Sequence, residues 1–135
     1  MPPRTLRAVN GQDMTAKEFL HRETVEDKAA SYTCTAEDSG KIFVAEAVDL
    51  VFTLPATVRG LTYTFVVSTL STTTGLSVSP NANDKIMGNG FTSADNKDAI
   101  NTAATDREGD LITVVGDGDL GWYITQVIGT WAREG

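Results

Sequence analysis

Apolar and polar side chains alternate with a period of two along most of the chain after Ser31. The alternation is clearest in residues 50–54, 61–67 and 76–79, and it returns in residues 112–114 and 122–128. Successive side chains of an extended strand point to opposite faces, so each run buries one face and leaves the other to solvent. The β-branched residues that dominate these runs are typical of strands. The sequence therefore predicts a mainly β fold.

Clusters of glycine, aspartate, asparagine and serine separate the alternating runs. Examples are Asp38-Ser39-Gly40, Gly88-Asn89-Gly90 and Asp117-Gly118-Asp119, and such residues favour tight turns. Several short strands joined by regular turns predict an antiparallel β-sandwich or jelly roll. The length of 135 residues suits one domain of this kind. We predict that its body spans residues 31–135. Within the less patterned segment 81–110 we expect short strands around residues 85–87 and 99–101.

Residues 1–30 differ from the body and are predicted to form an N-terminal arm. Pro2 and Pro3 disfavour the start of a helix, and Asn10-Gly11 indicates a turn. Arg4 and Arg7 give the beginning of the arm a local positive charge. The first 14 residues are therefore expected to be extended.

A short helix is predicted after this extended part. Thr15 and Glu18 fit a capping box, and good helix formers follow up to Glu23. The apolar side of the helix is narrow, with Ala16, Phe19 and Leu20. A helix this short is marginal alone, so it requires a docking surface on its own body or on a partner.

The charge distribution limits the classes of partner. The formal net charge is −7, and residues 1–30 contain five basic and five acidic side chains. The excess negative charge therefore lies in residues 31–135, which argues against binding to a nucleic-acid backbone. The sequence contains neither an apolar run long enough to cross a bilayer nor the pattern of a signal peptide. We expect no membrane partner and assembly in the cytoplasm.

Nucleophilic and metal-binding residues are too few for a recognisable active site. His21 is the only histidine and Cys34 the only cysteine, whereas a catalytic site needs a nucleophile, a base and an orienting group together. Cys34 lies on an alternating run, which predicts a buried core thiol. We predict no catalytic residue, no cofactor and no enzymatic activity.

Acidic residues near the C-terminus leave calcium binding as an alternative. Asp106, Glu108 and Asp110 alternate, as do Asp117 and Asp119, and carboxylate clusters are the usual ligands of Ca²⁺. Their spacing does not match a calcium loop. Asp117-Gly118-Asp119 is better explained as a hairpin turn, so no metal site is predicted.

Three aromatic residues could serve a sugar-binding surface. Trp122, Tyr123 and Trp131 lie near the C-terminus, and exposed aromatic rings are suited to stacking on ligands. The two-residue period favours packing of at least one tryptophan in the core. Trp131 is predicted to be the exposed or interface aromatic residue.

The order of several short motifs resembles a β domain of tailed-phage structural proteins. The motifs are Asp38-Ser39-Gly40-Lys41-Ile42-Phe43, Phe52-Thr53-Leu54-Pro55, Gly60-Leu61-Thr62-Tyr63-Thr64-Phe65-Val66-Val67, Asp84-Lys85-Ile86, Gly109-Asp110 before Thr113-Val114-Val115, Gly121-Trp122-Tyr123 and Gly129-Thr130-Trp131. Each motif is short and rich in glycine, and the resemblance rests on their shared order over residues 31–131. It is a resemblance to capsid decoration (cement) proteins and head-fibre domains.

This resemblance implies a virion component that binds the outer surface of a phage capsid and stabilises it. It implies a homotrimer whose arm contacts the major capsid protein. The resemblance does not extend to residues 1–30, and from position and composition alone the arm residues expected to make this contact are Pro2, Pro3, Arg4, Leu6, Arg7, Val9, Phe19 and Leu20. The alternative function is a receptor- or glycan-binding domain of a head or tail fibre.

Overall fold

The computed structural model describes residues 22–135, which form eleven strands in two sheets. Two short 3-10 turns, Ala36–Asp38 and Ala103–Thr105, lie between strands. The helix predicted from Thr15 lies outside the described residues, except for its last two positions, which are not helical. In chain order the strands are β1 (Thr24–Lys28), β2 (Tyr32–Thr33), β3 (Lys41–Ala45), β4 (Val51–Thr53), β5 (Thr62–Val67), β6 (Ser77–Ser79), β7 (Lys85–Met87), β8 (Ala99–Asn101), β9 (Leu111–Gly116), β10 (Gly121–Ile128) and β11 (Trp131–Arg133).

The chain alternates between the two sheets from β1 to β8. The first sheet has the strand order β1-β3-β5-β9-β10-β7, and the second has the order β11-β8-β6-β4-β2. Odd-numbered strands up to β7 therefore belong to the first sheet and even-numbered strands up to β8 to the second. Within the described part of the chain, β9 and β10 are the only consecutive strands that form a hairpin within one sheet.

Five of the nine strand pairings among residues 22–135 are parallel, so the prediction of an antiparallel sandwich is wrong for them. The parallel pairs are β1–β3, β3–β5, β2–β4, β4–β6 and β7–β10. Four of these five pairs join strands that are separated in the chain by one strand of the other sheet, whereas β6 and β8, separated in the same way, are antiparallel. Short turns looked the same in the sequence whether they closed a hairpin or crossed between sheets. The pairings do not confirm a jelly roll, which is built from antiparallel Greek keys.

One hydrophobic core joins the two sheets, as the two-residue period predicted. Phe43 and Phe65 of the first sheet contact Phe52 of the second, with ring centroids 5.8 and 5.0 Å apart respectively. Cys34 and Trp122 are also buried in this core, which confirms the core position predicted for the thiol and for at least one tryptophan. Burial of this shared apolar surface is the main force holding the sheets together.

Strands are present both in the segment predicted as the arm and in the less patterned segment 81–110. β1 lies within the segment predicted as the arm, so the boundary predicted at residue 30 falls after the first strand of the sheet. The strands predicted around residues 85–87 and 99–101 are present as β7 and β8. The turn predicted at Asp117 joins β9 to β10, and its carboxylate accepts hydrogen bonds from the backbone N–H groups of Asp119 and Gly121 at 2.8 and 2.9 Å.

Candidate functional site

The first sheet has an outer face that no other described element covers. In β5, Tyr63 and Phe65 point into the core, and Thr62, Thr64 and Val66 therefore point outward. The strand register continues this face onto both neighbouring strands. We call it the outer face; its members on β1, β3, β5, β9 and β10 are Val25, Asp27, Ile42, Val44, Thr62, Thr64, Val66, Leu111, Thr113, Val115, Tyr123, Gln126 and Ile128.

The outer face is a mixture of apolar and hydroxyl side chains. Ile42, Val66 and Leu111 are half-buried, whereas Tyr123 and Ile128 are each 49% exposed. The hydroxyl groups of Thr64 and Thr113 lie 2.8 Å apart across β5 and β9, and this hydrogen bond fixes their rotamers at the centre of the face. Apolar side chains in contact with solvent on a sheet favour contact with another surface.

A bulge in β10 adds Ile128 to this face, contrary to the sequence pattern. Strict alternation from Trp122 would place Ile128 on the same buried face as Trp122 and Ile124. The register between β9 and β10 shifts between Ile124 and Gln126, so Thr125 is the extra residue. A bulge of one residue reverses the faces of all following side chains, and Val127 therefore packs on the core in place of Ile128.

A groove of about 380 Å³ crosses the outer face from β3 to β10. Its apolar lining comes from Ile42, Val66 and Leu111, and its polar lining includes Thr64 and Gln126. Glu23, the residue before β1, also lines the groove. The chain therefore enters the described fold at the edge of its own surface groove.

A network of charged side chains holds β1 against the rest of the body. The Lys41 ammonium group contacts the carboxylates of Asp38 at 2.9 Å and Glu26 at 3.3 Å. Lys28 contacts Glu26 at 3.1 Å and also lies 3.8 Å from the centroid of the Tyr32 ring. Glu26 and Lys28 both belong to β1, so these contacts attach the edge strand to β3 and β2.

Asp38 is the best-connected group of this network. Its side chain is almost fully buried, and its Oδ2 accepts hydrogen bonds from the Tyr32 hydroxyl at 2.7 Å and from the Thr35 backbone N–H at 2.9 Å. Burial alone would raise the pKa of Asp38. The hydrogen bonds from Lys41, Thr35 and Tyr32 outweigh that effect and lower the pKa from 3.8 to about 2. The carboxylate is therefore ionised in the folded protein at neutral pH.

Asp38→Asn is expected to lower the free energy of unfolding at pH 7 by about 2 kcal/mol, because it removes a buried charge from its hydrogen-bonding partners. The stabilisation by Asp38 is complete above pH 3.8 and is lost as the pH falls toward about 2. Urea unfolding between pH 7 and pH 2 measures both effects. Asp95→Asn is the matched control, because Asp95 pairs with Lys85 at the surface and its side chain is 53% exposed. Equal losses in the two variants would contradict this role of Asp38.

The residues that sequence analysis assigned to a binding site are not brought together in residues 22–135. All eight residues assigned to the capsid-contacting arm lie outside the described part. Trp131 is only 6% exposed, and its indole N–H donates a 3.0 Å hydrogen bond to the Ile128 carbonyl. Its predicted exposure is therefore wrong: β11 pairs with β8 at the edge of the second sheet, and the indole turns into the core.

The other chemical candidates serve the structure. Burial raises the pKa of the Cys34 thiol to about 12, which makes it a poor nucleophile. Asp110 is buried, and its carboxylate accepts 3.0 Å hydrogen bonds from the Asn101 side-chain amide and the Arg107 backbone N–H. Across residues 22–135, no three His, Cys, Asp or Glu residues are grouped so as to hold a metal ion. His21 is outside that range.

The outer face itself was not recognised in the sequence. Thr62 and Thr64 of β5 alternate with the buried Tyr63 and Phe65, but the apolar residues beside these threonines come from β3 and β9. The signal that could have found the face was the second apolar set within the same runs, such as Ile42 and Val44 beside Phe43. Whether this second apolar set forms a continuous face depends on which strands are neighbours in the sheet.

Two comparisons with known proteins identified no related protein or family. Neither a scan against protein-family models nor a search of curated proteins found a match. Among residues 22–135, no helix has the length and apolar character needed to cross a membrane.

Proposed function

We propose that this protein is a structural component of a phage virion that binds the outer capsid surface and stabilises the shell. The observation that supports this proposal best is the position of Glu23 beside the outer face. Glu23 lies near the start of the described residues and lines the groove on a sheet face that has half-buried apolar side chains. An apolar face next to the point where a preceding segment joins the body suits attachment to an extended protein lattice.

The packing of the body suits a protein that stabilises a shell. Its two sheets and single core are consistent with a β-sandwich, and the charged network around Asp38 secures the strand from which the segment departs. A protein that binds only the assembled shell stabilises it by mass action. We extend the proposal to a homotrimer on the capsid surface and to the major capsid protein as the partner of the arm.

We further propose that the protein has no enzymatic activity. The buried carboxylates of Asp38, Asp84 and Asp110 are all engaged by protein hydrogen-bond donors, and Cys34 is held in its neutral form by burial. These groups hold loops and strands in place. They are therefore not available as an acid, a base or a nucleophile.

The glycan-binding alternative receives no support from the aromatic residues. Trp122 is fully buried and Trp131 nearly so, which leaves Tyr123 as the exposed ring of the three predicted. A sugar-stacking platform requires several rings presented together to solvent. For this reason we prefer contact with a protein lattice.

Deletion of residues 1–14 is expected to abolish capsid binding while the β body stays folded. The deletion ends well before β1, so the core and the charged network remain intact. Binding is measured by co-sedimentation with shells assembled from the major capsid protein of the same genome, and folding by circular dichroism. We expect affinity to fall by at least about 100-fold, which corresponds to the loss of about 2.7 kcal/mol. Unchanged decoration by the truncated protein would show that the arm is not the attachment element.

A further inference from the structure

We infer that the edge of β1 binds an extended, basic strand of another protein, aligned antiparallel to β1. Among the described strands, β1 is the outermost of the first sheet, and β3 is its neighbour. The inference goes beyond the proposed function, because it concerns the chemistry of the bound segment and holds whichever protein supplies that segment. It rests on the free backbone groups of β1 and on the charges beside them.

The backbone of β1 has hydrogen-bonding groups that face away from the sheet. In a parallel ladder both backbone groups of one residue point to the same neighbour, and successive residues alternate in direction. The Lys28 carbonyl accepts a 2.8 Å hydrogen bond from the Glu46 N–H, so Lys28 and Glu26 point to β3. The N–H and C=O groups of Val25 and Asp27 therefore point outward, where no described strand pairs with them. Such a row is a template for strand addition, and antiparallel pairs are the more stable kind.

The side chains along this edge match a basic strand. Val25 and Asp27 belong to the outer face, and Glu23, directly before β1, lines the groove on the same face. Two carboxylates thus flank Val25, which at 57% is the most exposed large hydrophobic residue in the range 22–135. Opposite charges and apolar pairs across strands stabilise pairing. The matching strand therefore presents a basic, an apolar and a basic side chain at alternate positions.

Charge disfavours a second copy of β1 as the occupant. An antiparallel pair of β1 strands centred on Glu26 would put Asp27 opposite Val25 of the other copy. Asp27 would then lie diagonal to both Glu23 and Asp27 of that copy, and like charges this close repel each other. The net charge of −7 adds repulsion between copies and attracts a basic segment.

Titration of the full-length protein with labelled synthetic peptides tests the inference. The probe is a peptide, capped at both ends, in which lysine, threonine, valine, threonine and lysine follow one another. One control peptide has glutamate in place of both lysines, and the other has a methyl group on the backbone nitrogen of the valine. Fluorescence anisotropy gives each Kd. We expect the Kd of the lysine peptide to be at least about tenfold lower than that of either control.

Charge reversal in the protein shows whether the site is β1. Glu23→Lys with Asp27→Lys should reverse the preference, so that the glutamate peptide binds more tightly than the lysine peptide. The matched control is Asp95→Lys with Asp119→Lys, which changes the net charge equally at two exposed positions outside β1 and β3 and should leave the preference unchanged. Equal Kd values for the three peptides, or the same behaviour of both double variants, would overturn the inference.

Light scattering of the same solutions tests the second copy as an occupant. We expect the lysine peptide to bind without changing the oligomeric state of the protein. Dissociation of an oligomer by this peptide would show that copies of the chain occupy the edge of β1, and would overturn the assignment to another protein. Because no capsid is present, a failure here is distinct from a failure of capsid co-sedimentation.

Discussion

Replacing Gly75 by alanine is expected to lower the free energy of unfolding by about 3 kcal/mol or more. Gly75 has a φ of +111°, and an added Cβ would overlap the backbone carbonyl group of Asn101. That backbone belongs to β8, whose Asn101 N–H donates a 2.8 Å hydrogen bond to the Leu76 carbonyl. The methyl group would therefore push apart two chain segments that pair at the start of β6.

Gly60→Ala separates this clash from the cost of the backbone conformation. Gly60 also has a positive φ, of +91°, but its added Cβ would meet nothing within 4 Å. The expected loss is about 1 kcal/mol, the usual cost of a left-handed conformation for a residue with a side chain. Chemical denaturation of both variants measures the difference. Similar losses of unfolding free energy for Gly60→Ala and Gly75→Ala would contradict the close contact between Gly75 and the backbone of β8.

Phe52→Ala is expected to destabilise the protein by about 3–5 kcal/mol, the range for truncating a buried phenylalanine. Phe52 is fully buried on β4, and its ring lies between the second sheet and the rings of Phe43 and Phe65 in the first. Removing the ring leaves a cavity at the junction of the sheets. Surrounding side chains from two rigid sheets fill such a cavity only in part, which explains the high cost.

Tyr123→Ala is the control for this truncation. Tyr123 is also an aromatic residue on a strand, but it lies on the outer face and is 49% exposed. Its removal should cost about 0.5 kcal/mol. Thermal and urea unfolding of the two variants give the comparison. A Phe52→Ala protein as stable as Tyr123→Ala would refute a core shared by the two sheets.

Local patterns in the sequence predicted the strands and their buried faces well. The alternation in residues 61–67 matches β5, and even the short strands β7 and β8 were found in the least patterned segment. The hairpin turn at Asp117 and the buried positions of Cys34 and Trp122 were also correct. All these features depend on neighbours a few residues away in the chain.

Contacts between distant residues were not predictable in the same way. Trp131 was expected at the surface because it lies near the C-terminus, yet pairing of β11 with β8 buries it. The environment of Asp38 depends on Tyr32, Lys41 and, through Lys41, Glu26 on another strand. Ile128 lies on the outer face, and not on the core face, because of a bulge in β10 that the residue types of the sequence do not indicate.

Short strands with one buried face follow from the amino-acid order alone, because alternation is a property of the extended backbone that acts at each residue. The neighbours of each strand, the excess of parallel pairs, and the places where an apolar outer face and a groove arise depend on how the whole chain packs. These features depend on pairings such as Thr24 with Lys41 and Ile42 with Thr64. Such pairings are selected by the burial of the whole core and by side-chain contacts across sheets, neither of which a local pattern encodes.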